Sequence, residues 1–169
     1  MRPALLAALA ASALLLAPAA PAQRAQRQAV ATGYRALYDR GGELEARAAA
    51  EPPGELRLRY YRDAAAAFEL ALRARARERI ADNRIFNALG TVYLGAGDLA
   101  RADVHLREGL VIADSLTQTD KGRLFATYAY LNALRGDNRA ALHYYRLSAD
   151  LGNESAQRSI LTLRRAQAR

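Results

Sequence analysis

The sequence predicts an all-α chain built from repeated pairs of helices, and three observations carry that prediction. Alanine, the best helix former, fills 40 of the 169 positions. Strand-favouring aromatics are sparse, with no Trp and three Phe. Two stretches 39 residues apart repeat one order of aromatic, small and turn residues. A hydrophobic content of 51% excludes a wholly disordered chain. The absence of cysteine excludes disulfides, cysteine-held metals and a thiol nucleophile.

The first segment reads as an address. Met1-Arg2-Pro3 precedes an apolar run from Ala4 to Ala17, and Ala20 and Ala22 follow at a spacing suited to cleavage before Gln23. This predicts a secretory signal over residues 1–22, with no transmembrane segment left once it is cleaved. The run is shorter than the roughly 20 residues of a membrane span. No cysteine follows it to carry a lipid anchor. The expected location is therefore periplasmic or secreted.

Beyond the signal, helices are predicted near 25–40, 43–50, 55–80, 83–96, 99–115, 121–135, 138–150 and 154–166. Gly41-Gly42 is read as a turn between the first two. Glu51-Pro52-Pro53-Gly54 must stop any helix, because tandem prolines remove donors and clash with the preceding turn. Residues 23–54 are expected to form a degenerate helical repeat, and 55–169 the main helical repeat domain.

The two copies align at several markers. Phe86, Leu89, Gly90, Tyr93, Gly97-Asp98, Ala102 and Leu106 correspond to Phe125, Tyr128, Ala129, Asn132, Gly136-Asp137, Ala141 and Tyr145. The Gly-Asp pair predicts a tight turn, with glycine at positive φ and aspartate capping the next helix. Gly90/Ala129 and Ala102/Ala141 are expected where two helices cross closely, with the larger residues filling the space around them. Upstream, Ala64, Phe68 and Ala71 echo Ala102, Leu106 and Gly109, 38 residues earlier.

The first copy resembles a tetratricopeptide repeat. That family's aromatic-x2-Leu-Gly-x2-Tyr pattern, followed by Ala-x3-aromatic, appears as Phe86, Leu89, Gly90, Tyr93, Ala102 and Leu106. It departs at Gly109, where Ala is usual, and at Asp114, where Pro would fall. The spacing also exceeds the usual length of about 34 residues, which places an extension in Ser115 to Lys121. The latter half of the second copy is similar to the Sel1-like repeats, through Ala141 to Arg146, then Ala149, Gly152, Ala156 and Gln157. The likeness covers residues 83–160 and thins over 25–80. It implies a short right-handed α-solenoid that binds a protein or peptide without catalysis. Its groove positions would be Arg84, Asn87, Thr91 and Leu94 from the first copy, and Arg123, Ala126, Tyr130 and Ala133 from the second.

Little else in the sequence carries chemistry. His105 and His143 lack a zinc-binding partner motif and a nearby carboxylate pair, so no metal is expected. No serine occupies a nucleophile elbow, and the glycines form no phosphate loop. Neither a cofactor nor a catalytic residue is predicted. Glu43/Glu45 and Glu51/Glu55 are read as surface carboxylates that pair with nearby arginines.

The formal net charge of +8 comes from 24 Arg and one Lys against 17 acidic residues. Arg73, Arg75, Arg77 and Arg79 step about 200° apart on a helix and so spread around it as a solvated end. Export and this scatter argue against nucleic acid. An acidic protein or peptide, received through Arg84 and Arg123, is the expected partner. The alternative is peripheral binding of anionic envelope lipid or polymer through the Arg-rich surface. Open end faces would also permit homo-oligomers, with Leu161 to Arg165 serving as a cap.

Overall fold

The computed structural model describes residues 33–167, so the predicted signal and the start of the predicted first helix lie outside the described residues. Among the described residues the chain is all-α, without strands. Its helices are α1 (Tyr34–Ala50), α2 (Glu55–Glu78), α3 (Ile85–Gly95), α4 (Leu99–Val111), α5 (Gln118–Leu134), α6 (Asn138–Asp150) and α7 (Glu154–Gln167). A single 3-10 turn, Ala113–Ser115, separates α4 from α5. No helix among these is long and apolar enough to cross a membrane.

Each helix packs on its neighbours in sequence. In addition α1 touches α3, and α3 touches α5. The buried side chains form three successive clusters. The first runs from Tyr34 through Phe68 and Leu89 to Ala102, continuous across the Pro52-Pro53-Gly54 turn. The second joins Leu106, Ala113, Leu124, Tyr128 and Leu131. The third joins Ala129, Ala141, Tyr145 and Ala156, and so docks α7 onto α5 and α6. Leu163 packs on this cluster, whereas Leu161 is 54% exposed, so the terminal helix covers the end with one stripe only.

Both Gly-Asp turns take the expected form. Gly97 and Gly136 have φ near +80°. Asp98 accepts from the backbone N–H of Arg101 and Asp137 from that of Ala140, capping α4 and α6. The marker sequence Ala-x3-large-x2-small recurs on α2, α4 and α6 as Ala64/Phe68/Ala71, Ala102/Leu106/Gly109 and Ala141/Tyr145/Ser148, all of them buried. Ser148 further donates to the Gly122 carbonyl at 2.7 Å, fixing α6 against α5.

Three expectations need correction. Gly41-Gly42 is no turn: α1 runs unbroken through it. A Cβ at Gly41 would stand 2.6 Å from the Phe68 ring, so this glycine is a crossing point, equivalent in role to Gly90 beneath Leu106. Two mid-helix glycines cost about 1 kcal/mol each in propensity, and packing of the Phe68 ring offsets this. Secondly, α5 begins at Gln118 rather than 121. Thr117 caps it by accepting from the Asp120 N–H at 3.2 Å, while its hydroxyl donates back to Asp120 Oδ2 at 2.8 Å. The extra length of the connection is taken up by the 3-10 turn instead. Thirdly, Arg75 does not lie at a solvated end. Its Nε donates to the Asp82 carbonyl at 2.9 Å, its Nη2 bonds Asn83 Oδ1, and its guanidinium lies over Phe86.

Candidate functional site

Seven of the eight predicted groove residues line two adjoining hollows that share Thr91. Arg84, Asn87, Thr91 and Arg123 border the first, together with Tyr38, Glu45, Ala88, Leu116 and Asp120. Thr91, Leu94, Ala126 and Tyr130 border the second, with Arg57, Tyr61 and Tyr145 among its other walls. Their cavity volumes are about 260 and 440 Å³. Ala133 borders neither; it packs into the α5–α6–α7 cluster.

Helical spacing explains the convergence. Asn87, Thr91 and Leu94 recur at steps of four and three along α3, which places them on one face. Arg123, Ala126 and Tyr130 do the same on α5. Contacts from α1 to α3 and from α3 to α5 set these faces side by side, so the first hollow draws Tyr38 and Glu45 from α1.

Each of the two arginines, expected to meet a partner's carboxylates, has an aspartate beside it within the chain. Arg84 Nε donates to Asp82 Oδ1 at 2.9 Å, and Nη2 to Oδ2 at 2.5 Å. The guanidinium also sits 5.6 Å from the Tyr38 ring centroid. These bonds from Arg84 hold the Asp82 carboxyl below the usual carboxylate range. Arg123 Nη1 lies 3.7 Å from Asp120 Oδ1. Sequence reading missed Asp82 and Asp120, although each lies within three residues of its arginine.

Glu45 differs from the surface carboxylate expected of it. No ion pair among the described residues includes it. Burial pushes its carboxyl up. Asn87 Oδ1 is likewise buried and has no hydrogen-bond partner. Asn87 Oδ1 is thus an acceptor withdrawn from water without a donor, and Glu45 a partly buried carboxylate without an ion pair; both lower stability. A raised folded-state pKa means that Glu45 ionises less readily in the fold than in the unfolded chain. Its stabilising contribution is complete below the unfolded value of about 4.3 and is lost as pH rises through the folded value. Glu45→Gln is therefore expected to resist urea better than the parent at pH 7. Below about pH 4 the two curves should converge. A lower midpoint for the variant at pH 7 would contradict this.

A second polar cluster lies between α2 and α4. His105 Nε2 is 3.2 Å from Glu69 Oε1, and Nδ1 is 3.1 Å from Glu108 Oε2. The ring stacks on Tyr93, whose hydroxyl donates to Glu69 Oε1 at 3.0 Å. This corrects the reading that His105 has no carboxylate pair nearby, since Glu69 arrives from 36 residues away. The carboxylates sit at opposite ring nitrogens and do not converge on one point. Among the described residues, no group of three or more His, Cys, Asp or Glu could hold a metal ion. The cluster ties α4 to α2. His143, by contrast, is exposed and meets Tyr144 edge to face.

No protein-family model, curated protein or solved structure matches this chain.

Proposed function

We propose that the chain is an exported, non-catalytic protein-interaction scaffold, a short tetratricopeptide- or Sel1-like solenoid whose odd-numbered helices bind a peptide or protein segment. One observation carries the reading: seven of the eight groove residues expected from the family likeness border two adjoining hollows on α1, α3 and α5, Ala133 being the exception. Further support comes from the three buried clusters in chain order, as expected of stacked hairpins, and from the α1–α3 and α3–α5 contacts. Tyr130, 50% exposed at the rim of the second hollow, is a rigid amphipathic side chain of the kind that anchors partners. The residue–residue likeness over 83–160 supports the family reading, and the apolar leader supports a periplasmic or secreted location.

Tyr130→Asp tests the groove without disturbing the core. Partner retention from an envelope extract should fall by about tenfold or more, as for loss of an aromatic anchor worth at least 1.4 kcal/mol. Unchanged retention would remove the groove from the account.

One observation favours a second reading, binding of anionic envelope lipid or polymer. A hollow of about 980 Å³ between α2 and the α3–α4 turn is bordered by Arg62, Arg73 and Arg101 against Glu69 and Asp98. Binding there would collapse as salt rises, whereas groove binding anchored by Tyr130 would persist.

A further inference from the structure

We propose that the hollow among α1, α3 and α5 receives one cationic side chain, a lysine or arginine carried by the bound segment, through Glu45 and Asn87. The inference rests on the groove reading and adds the chemistry of what enters it. It reverses the acidic partner expected from overall charge.

The charges around the hollow cancel in pairs. Arg84 is matched by Asp82 and Arg123 by Asp120, which leaves the Glu45 carboxylate as the uncompensated charge on its wall. Asn87 lines the same hollow, and its Oδ1 is a buried carbonyl oxygen without a donor. Both are acceptors, and both lack what an ammonium or guanidinium provides: several N–H donors on one positive charge. Partial burial of the Glu45 carboxylate lowers stability, and a cation bound beside it would offset that cost. The volume narrows the ligand further. About 260 Å³ falls below the roughly 300–1,000 Å³ of sites that enclose a drug-sized molecule, so the hollow suits one side chain.

The walls favour this ligand in shape as well. Tyr38, Ala88 and Leu116 offer apolar surface for an aliphatic stem, while the acceptors meet its charged end. The +8 of the whole chain repels a strongly basic segment. The best-matched partner therefore carries a single Lys or Arg in an otherwise neutral or acidic stretch.

The test is an NMR titration of the protein with N-acetyl-arginine amide, followed at the Asn87 side-chain amide and at Tyr130. N-acetyl-citrulline amide, the neutral isostere, and N-acetyl-glutamate amide serve as comparisons. The arginine probe should shift Asn87 and saturate. Citrulline should bind about tenfold or more weakly, the factor for losing one charge-assisted hydrogen bond. Glu45→Gln should lose the arginine preference by a similar factor while remaining folded, as its urea curve would show. Equal binding of arginine and citrulline, preference for the glutamate probe, or an unaltered Glu45→Gln would each overturn the proposal. The groove reading fails separately: it falls if a segment captured from the envelope extract leaves Asn87 and Tyr130 unshifted. It stands if such a segment shifts Tyr130 but shows no dependence on a basic residue.

Discussion

Truncating Phe68 to alanine is expected to destabilise the protein by about 3–5 kcal/mol, the cost of deleting a buried aromatic ring and leaving a cavity. Phe68 is 1% exposed and lies on α2 where α1 crosses it. Its ring covers the bare backbone of Gly41 and meets the Tyr38 ring edge-on, with centroids 5.3 Å apart. Neither neighbour can refill the space, since Gly41 has no side chain and Tyr38 is held under the Arg84 guanidinium. The loss would be a large share of the roughly 5–15 kcal/mol that stabilises an ordinary domain. Urea unfolding should show a lower midpoint at unchanged slope. A loss under about 1 kcal/mol would mean that α1 is not docked on α2 through this ring.

The second large effect is at the next crossing and includes a change of sign. Leu106→Ala should cost about 2–5 kcal/mol, because Leu106 is fully buried against Gly90. Gly90→Ala alone should cost about 1–3 kcal/mol, since the new Cβ would overlap the Leu106 side chain and force it from its rotamer. Once Leu106 is truncated, that obstacle is gone. In the Leu106→Ala background, Gly90→Ala should become stabilising by up to about 1 kcal/mol, the helix-propensity difference between the two residues. A double-mutant cycle measures the coupling directly. Additive effects would contradict the close crossing at Gly90.

These crossings also separate what the sequence discloses from what it does not. Gly97-Asp98 and Gly136-Asp137 were legible because their requirement is local: positive φ at glycine and a side-chain oxygen three residues before an unpaired N–H. The groove positions came from the tetratricopeptide likeness, and helical spacing accounts for Asn87 sharing a face with Thr91, and Ala126 with Tyr130. Gly41-Gly42 misled, because propensity marks a break and only the Phe68 ring, 27 positions away, gives the glycine another purpose. The start of α5 was available in Thr117 and Asp120 but lay hidden within an apparent loop extension. Tertiary pairing was not readable at all. Nothing local assigns Glu69 to His105, and nothing local strips Glu45 of an arginine partner.

That last difference alters the functional picture. Charge counting pointed to an acidic ligand, but Arg84 and Arg123 are each matched by an aspartate on their own element or the turn before it. What remains unmatched in the first hollow is an acceptor pair. Net charge describes the far field of the protein, whereas recognition depends on which charges are left over locally.

The central claim is that the face formed by α1, α3 and α5 is the binding surface. Its most direct test is site-specific photocrosslinking from position 130, bordering the second hollow, and from position 111, at the end of α4 and outside both hollows. Val111 is 86% exposed, more than Tyr130 at 50%, so accessibility alone favours position 111. The account predicts a discrete adduct with a protein partner from position 130 and none from 111. Adducts from 111 alone, or equally from both, would contradict it.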